Sequence, residues 1–407
     1  MQKYKIIAPF FIVLIIDVIG FGMISPVLAP MVISPEHSVL GSHSTLEARH
    51  WLYGMLLALA PLCFMIGAPL MGFLSDYFGR RRLLLMCLMG TLIGFILYAV
   101  SFSLLSPLIL ILAALSVGLT SGSQSIAQAA MADISEGVQK TIHISWIALA
   151  LTIGLVLGPF IGGFFSTRAQ LPGLGIATPF YIAIILALFN LVLVYRWVRE
   201  TRRYTTTASF HLPVLFQRYF YLIFHSPARQ WYRVFFLFEL GWSLYFQSLA
   251  LMLVEKYHFN GEQVGWFSAY VGIVLSVGLL VLVRYTARYC RLTSAVVVSL
   301  LAGSGALVVN GLFPGLSLQG WMAIPIALSV AVAYASLISL ISDGIGPEEQ
   351  GLVMGSADSL LSLAFAISSV VGSYLIYLNP LYPQLLAGGI LGIAALGAQP
   401  QRLWKNM

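Results

Sequence analysis

Long apolar runs separated by short polar breaks set the plan of this chain. A bilayer core of about 30 Å asks for about 20 consecutive apolar residues in a helix, and windows of that length recur twelve times. In the first half they cover 6–29, 51–74, 83–105, 107–131, 143–166 and 178–197. In the second they cover 231–254, 264–284, 293–313, 321–342, 351–378 and 383–399. The pattern predicts an all-α membrane protein of twelve transmembrane helices, numbered here as spans one to twelve. Gly20, Gly22, Pro26, Pro61, Pro69 and Pro325 fall inside these runs. Neighbouring helices re-satisfy the backbone groups that such residues free, so they argue little against a span. The first run continues past Leu28. A cleavable signal has an apolar core of only about 7–15 residues, so this run is read as a retained helix.

Composition removes the soluble alternatives. Of 407 residues 59% are apolar and 9% charged, with a mean hydropathy of +0.93. Soluble domains carry about 25% charged residues, a shell this chain cannot supply. The net charge of +7 reads as membrane topology before it reads as nucleic acid. With the N-terminus inside and sides alternating, eighteen of the 21 Lys and Arg residues fall on the inner face. Only Arg49, Arg168 and Lys256 fall outside. A wrong span count would scramble that split, so twelve spans with both termini cytoplasmic are expected.

The longest polar stretch divides the spans six and six. The expected organisation is a six-helix bundle over 1–198, a cytoplasmic linker over 199–230 and a second six-helix bundle over 231–407. The linker opens with Arg199, Arg202 and Arg203, and its aromatic run from Phe210 to Tyr221 is a candidate interfacial helix. An offset of 221 places Gly20 on Gly241, Ala29 on Ala250 and Met31 on Met252. That sparse repeat suggests two pseudo-symmetric bundles.

Between spans two and three the chain reads Gly72-Phe-Leu-Ser-Asp76-Tyr-Phe-Gly79-Arg80-Arg81-Arg82. This resembles the cytoplasmic signature of the major facilitator superfamily. Gly154-Leu-Val-Leu-Gly158-Pro159-Phe-Ile-Gly162-Gly163 in span five resembles the signature of that superfamily's antiporters. Asp17 to Leu28 and Met131-Ala-Asp133-Ile are similar to the tetracycline and multidrug proton-antiporter branch. The resemblance implies two bundles rocking about a midplane site. It implies a latch of Gly72, Asp76, Gly79, Arg80 and Asp133, in which Asp76 faces a helix N-terminus and Arg80 pairs with Asp133. It also implies a bent span five at the seam between the halves. The small residues Gly154, Gly158, Gly162 and Gly163 alone suit generic close packing equally well. Two departures stand out: Tyr77 replaces a usual basic residue, and Ala114 occupies the position of the branch's usual span-four Arg.

Acids inside the membrane carry the most information. At about 1.5 Å of rise per residue, Asp17 lies about 16 Å into span one, near the midplane, Glu239 about 12 Å into span seven, and Asp358 about 10 Å into span eleven, close enough to the interface to be solvated. A charge at the bilayer centre costs roughly 2.5–3.5 kcal/mol on the gentlest scale. No Lys or Arg lies in the interior of a span, Arg233 and Arg284 standing at span ends. These acids therefore have no fixed cationic partner within the membrane, and each must be protonated, hydrated or bound to a mobile cation. All three are candidate proton-coupling residues, although a neutral acid can also serve helix packing. Phe21, Gln124, Gln128, Trp242, Gln247 and Tyr334 are candidate substrate contacts. The glutamines suit interhelical hydrogen bonds equally well. An acidic, aromatic lining favours cationic or amphipathic solutes.

No phosphate-binding loop, metal-ligand spacing or paired cysteine pattern is found, and the run Gly118–Gly122 is read as lying within a span. No enzyme, cofactor, metal or nucleic-acid partner is expected. The expected protein is a monomeric secondary transporter in the inner membrane, working with lipid, protons and a small-molecule substrate. It would export a lipophilic or cationic drug, or a siderophore-like metabolite, in exchange for protons. Proton-symport import of a metabolite or metal chelate is the alternative, and a transport-inactive sensor or scaffold is a third reading.

Overall fold

The computed structural model describes residues 2–33, 44–104, 106–133, 138–167, 177–200, 221, 223–313, 315–343 and 350–399. These residues are almost entirely helical and contain no strand. Ten helices among them are long and apolar enough to cross a membrane. Two shorter apolar helical segments, Ala150–Ser166 and Tyr382–Gly397, stand where spans five and twelve are expected. The fold is thus the twelve-span all-α membrane architecture. The candidate interfacial helix falls on residues that, except for Tyr221 and the turn after it, lie outside those described.

The chain forms two compact units. The first comprises Met1–Ser209 together with His258–Tyr270, and the second Phe210–Tyr257 together with Val271–Met407.

In the first unit, two spans depart from a plain cylinder. Span one is two helices, Gln2–Gly22 and Ile24–Ile33, joined at Met23. Span four is also two helices, Pro107–Thr120 and Ser123–Asp133, with a break at Ser121–Gly122. The sequence placed that glycine-rich run inside one continuous span. The span packs closely around this point: a Cβ on Gly122 would sit 2.5 Å from Met71 Cβ, and one on Gly118 would sit 2.6 Å from the Ala60 carbonyl oxygen. Hydropathy is blind to such a break, because Gly and Ser fit an apolar window as readily as a turn. Spans two and three, Leu46–Phe78 and Arg80–Leu104, are joined by Gly79 alone. Its φ of 97° and ψ of 141° lie in a region essentially reserved for glycine.

Span five, Val138–Thr167, runs helical through Pro159. Its glycines fall on two faces. Gly154, Gly158 and Gly162 meet span one, where added Cβ atoms would lie 2.5 Å from Val18, 2.8 Å from the Ile19 carbonyl oxygen and 2.7 Å from the Met23 carbonyl oxygen. Gly163 instead meets the start of span eight, where a Cβ would sit 2.2 Å from the Gly261 carbonyl oxygen and 2.6 Å from Gly265 Cα. Lipid tails are as apolar as the side chains, so close backbone approach replaces the hydrophobic effect in joining such helices.

In the second unit, span seven, Arg229–Tyr257, is the most deeply enclosed span. It is bound to span eleven, Gln350–Leu378, by side-chain hydrogen bonds along its length. Span eight begins at Gly261 and passes through a π-helical turn at Gly278–Leu282 before ending at Tyr289. The turn is a local departure from α-helical geometry within the span.

Candidate functional site

Asp17 sits on the span-one helix, half-buried between three other elements. Ser123 is the first residue of the helix that follows the span-four break, and its Oγ donates to Asp17 Oδ2 at 2.6 Å. Asn190 of span six, Thr178–Trp197, donates from Nδ2 to Asp17 Oδ1 at 3.2 Å. The same nitrogen lies 3.5 Å from the Val13 carbonyl oxygen. Asn190 is fully buried, and its Oδ1 has no hydrogen-bond partner among the described residues. A cavity of about 10 Å³ is lined by Asp17, Phe21, Thr91, Ser121, Ser123 and Gln124, with Phe95 and Val117 closing it. That is room for about one water molecule.

The carboxylate thus has neutral donors on both oxygens. The break in span four sets the C-terminus of one helix beside the N-terminus of the next, so their partial charges offset each other and the Ser123 hydroxyl is what reaches the carboxylate. Ala114, fully buried in the same span, adds no charge.

Glu239 lies in the second unit and is almost wholly buried, at 1% exposure. Its Oε2 has no hydrogen-bond partner among the described residues. Asp358 and Tyr334 stand within electrostatic reach of it. The Tyr334 ring lies 6.1 Å from that of Phe235, which shares span seven with Glu239. One turn further along, Trp242 stacks on Phe246 at 5.2 Å. Gln247 is buried and donates from Nε2 to Ser369 Oγ at 2.8 Å. With Tyr232–Ser356 at 2.8 Å and Ser243–Ser368 at 2.7 Å, it forms a ladder joining spans seven and eleven.

At the end of the first unit that carries the Gly79 link, the Arg80 guanidinium donates to Ser75 Oγ at 2.6 Å. The backbone N–H groups of Arg80 and Arg81 donate to the two carboxylate oxygens of Glu200, at 2.9 and 3.2 Å. Glu200 therefore caps span three from 120 residues away, bringing negative charge to a helix N-terminus. Arg81 also donates to the Tyr195 carbonyl oxygen at 2.7 Å. Gly72, Asp76 and Asp133 lie on described helices, but the Asp76, Asp133 and Gln128 side chains lie outside the described set.

The structure therefore brings Asp17 together with Phe21 and Gln124, and Glu239 with Asp358 and Tyr334. Sequence reasoning missed Asn190, Ser123 and Glu200. A lone Asn inside the otherwise apolar run 178–197 was a readable signal. Ser123 and Glu200 acquire their roles only from tertiary contact.

Buried acids with neutral or no partners, set in twelve apolar helices, define a polytopic membrane transporter. The family model described as Major Facilitator Superfamily matches residues 10–369, and the chain belongs to that superfamily. It is a transporter and not an enzyme. The tetracycline resistance protein of class B from Escherichia coli is 26% identical over 382 residues, spanning 88% of this chain and 86% of that protein. The Major facilitator superfamily domain-containing protein 10 of Mus musculus is 23% identical over 419 residues, spanning 93% and 88%. Among solved structures, the human organic anion transporter MFSD10 (TETRAN) superposes with a TM-score of 0.72 at 21% identity, covering 98% of this chain and all of that one. A D-xylose–proton symporter gives 0.73 at 16% identity, covering 97% of each. These likenesses agree with the tetracycline and multidrug branch read from the motifs.

Proposed function

We propose that the chain is a proton-coupled exporter of the inner membrane, moving a lipophilic or cationic small molecule outward by alternating access. Asp17 would load and release the proton. Glu239, with Asp358 beside it, would meet the cationic solute or a second proton. The observation that carries this reading is the Asp17 carboxylate, held beside a water-sized cavity by neutral donors among the described residues. An ion pair would fix its charge, whereas hydroxyl and amide partners leave both protonation states within reach. Aromatic faces at Phe235, Trp242 and Tyr334 near Glu239 suit a cation or a flat ring system. Phe21 and Gln124 beside Asp17 are further solute contacts under this proposal, and Gln247 serves chiefly to join spans seven and eleven. Gly72, Asp76, Gly79 and Arg80 at the link between spans two and three, with Asp133 at the end of span four and Glu200 capping span three, would form the conformational latch. The two six-helix bundles, 1–198 and 231–407, would be the moving bodies, with both termini cytoplasmic.

The tetracycline resistance relatives make tetracycline a natural first probe, and tetraphenylphosphonium a second. In proteoliposomes carrying an imposed proton gradient, solute should move against the proton flow. Asp17→Asn and Glu239→Gln should each lower gradient-driven flux by at least about tenfold, a modest share of what a placed proton-transfer group contributes. Coupled flux at the wild-type rate in both variants would overturn the coupling assignment. Solute moving with the protons would replace export by symport.

A further inference from the structure

The two partners of Asp17 differ in what they can do when the proton arrives. An Asn amide nitrogen only donates, whereas a Ser hydroxyl both donates and accepts and turns its hydrogen to suit. Nδ2 of Asn190 faces two acceptors at once, Asp17 Oδ1 and the Val13 carbonyl oxygen. Reversing the amide would set Oδ1 of Asn190 against that carbonyl, two acceptors facing each other in a fully buried place. The Asn190 side of the carboxylate is therefore fixed as a donor. The Ser123 side is not, since Oγ and Oδ2 stand 2.6 Å apart and either can hold the hydrogen. Ser123 also lines the water-sized cavity, with Thr91, Ser121 and Gln124, whereas Asn190 does not.

We propose that Ser123 is the hydroxyl through which Asp17 exchanges its proton, and that Asn190 is a positioning residue that makes Oδ2 the oxygen protonated. The step balances without any heavy-atom bond changing. A hydronium ion of the cavity water gives a proton to Ser123 Oγ, the hydroxyl proton passes to Oδ2, and the carboxylate becomes neutral. Release runs the same path backwards, ending on the cavity water. Throughout, Oδ1 keeps its hydrogen bond from Asn190, so the carboxyl group does not rotate between the two states.

This inference rests on the reading of Asp17 as the proton carrier, and the test separates the two. Purified protein in lipid vesicles is taken through a pH jump while the carboxyl stretching band is followed by time-resolved infrared difference spectroscopy, with no solute present. The band missing from Asp17→Asn belongs to Asp17. With Ser123→Ala, that band should reach its full amplitude at least about tenfold more slowly, set against the about 10²–10⁴-fold worth of a placed proton-transfer group. Ser123→Thr, which keeps the hydroxyl, should restore a rate near the wild type. Asn190→Leu should split the band in two, because both oxygens then accept the proton. A slower protonation with unchanged amplitude is not what a folding defect produces, and circular dichroism of each variant checks the fold. A wild-type rate in Ser123→Ala, with the Asp17 band intact, would overturn the relay and leave the proton-carrier reading standing. If Asp17→Asn loses no band, both fall.

Discussion

Gly158 offers the sharpest check on the packing that holds the Asp17 helix. A Cβ at this position would lie 2.8 Å from the Ile19 carbonyl oxygen, 2.9 Å from Gly22 Cα and 3.1 Å from the Gly22 carbonyl carbon. All three are backbone atoms, so no side chain can swing away. Span one or span five must move by several tenths of an ångström to restore ordinary contact. Adding a methyl group to a packed site of this kind costs about 1–3 kcal/mol. Gly305 in span nine, Leu292–Leu312, is the control, since an added Cβ there would meet nothing within 4 Å. Replacing an unhindered helix-interior glycine with alanine stabilises by roughly 0.5–1 kcal/mol. Equilibrium unfolding in mixed micelles should therefore show Gly158→Ala destabilised and Gly305→Ala unchanged or slightly stabilised. Gradient-driven flux should fall in the first alone, because Ile19 and Gly22 lie on the turns beside Asp17. Equal stability of the two variants would refute the close approach of spans one and five.

Three further outcomes follow from the same geometry. Glu200→Ala should lower stability by about 0.5–2 kcal/mol, the usual worth of a helix N-cap, and thermal unfolding would read it. Gly79→Ala forces a side chain into a glycine-only backbone region and should cost about 1–3 kcal/mol, again by unfolding; a wild-type midpoint would show that the link relaxes. Gln247→Leu and Ser369→Ala should each cost roughly 0.6 kcal/mol, the average interhelical hydrogen bond in a membrane, and the double variant should cost less than the sum of the two.

Hydropathy resolved the twelve spans because a bilayer demands one long apolar helix per crossing, and little else can supply it. It was silent about the breaks at Met23 and Ser121–Gly122 and about the π-helical turn at Gly278–Leu282. Window averages report mean hydropathy and contain no term for local backbone geometry. The acids were legible individually, as costly residues in an apolar setting. Their company was not, because Ser123, Asn190 and Glu200 lie about 106, 173 and 120 residues from the groups they bind.

The position of the missing span-four arginine gains meaning from that company. Ala114 is fully buried and brings no charge toward Asp17. What stands near the carboxylate instead is a broken helix whose first residue donates a hydroxyl, and an amide from span six. A guanidinium would contribute a full, permanent charge that cannot be deprotonated in a protein. The hydroxyl and amide contribute dipoles only. Such a set supports the carboxylate without binding it as a fixed ion pair. An alanine at this position is therefore compatible with the proposed proton coupling, which would then fall to Asp17 and the uncharged groups around it.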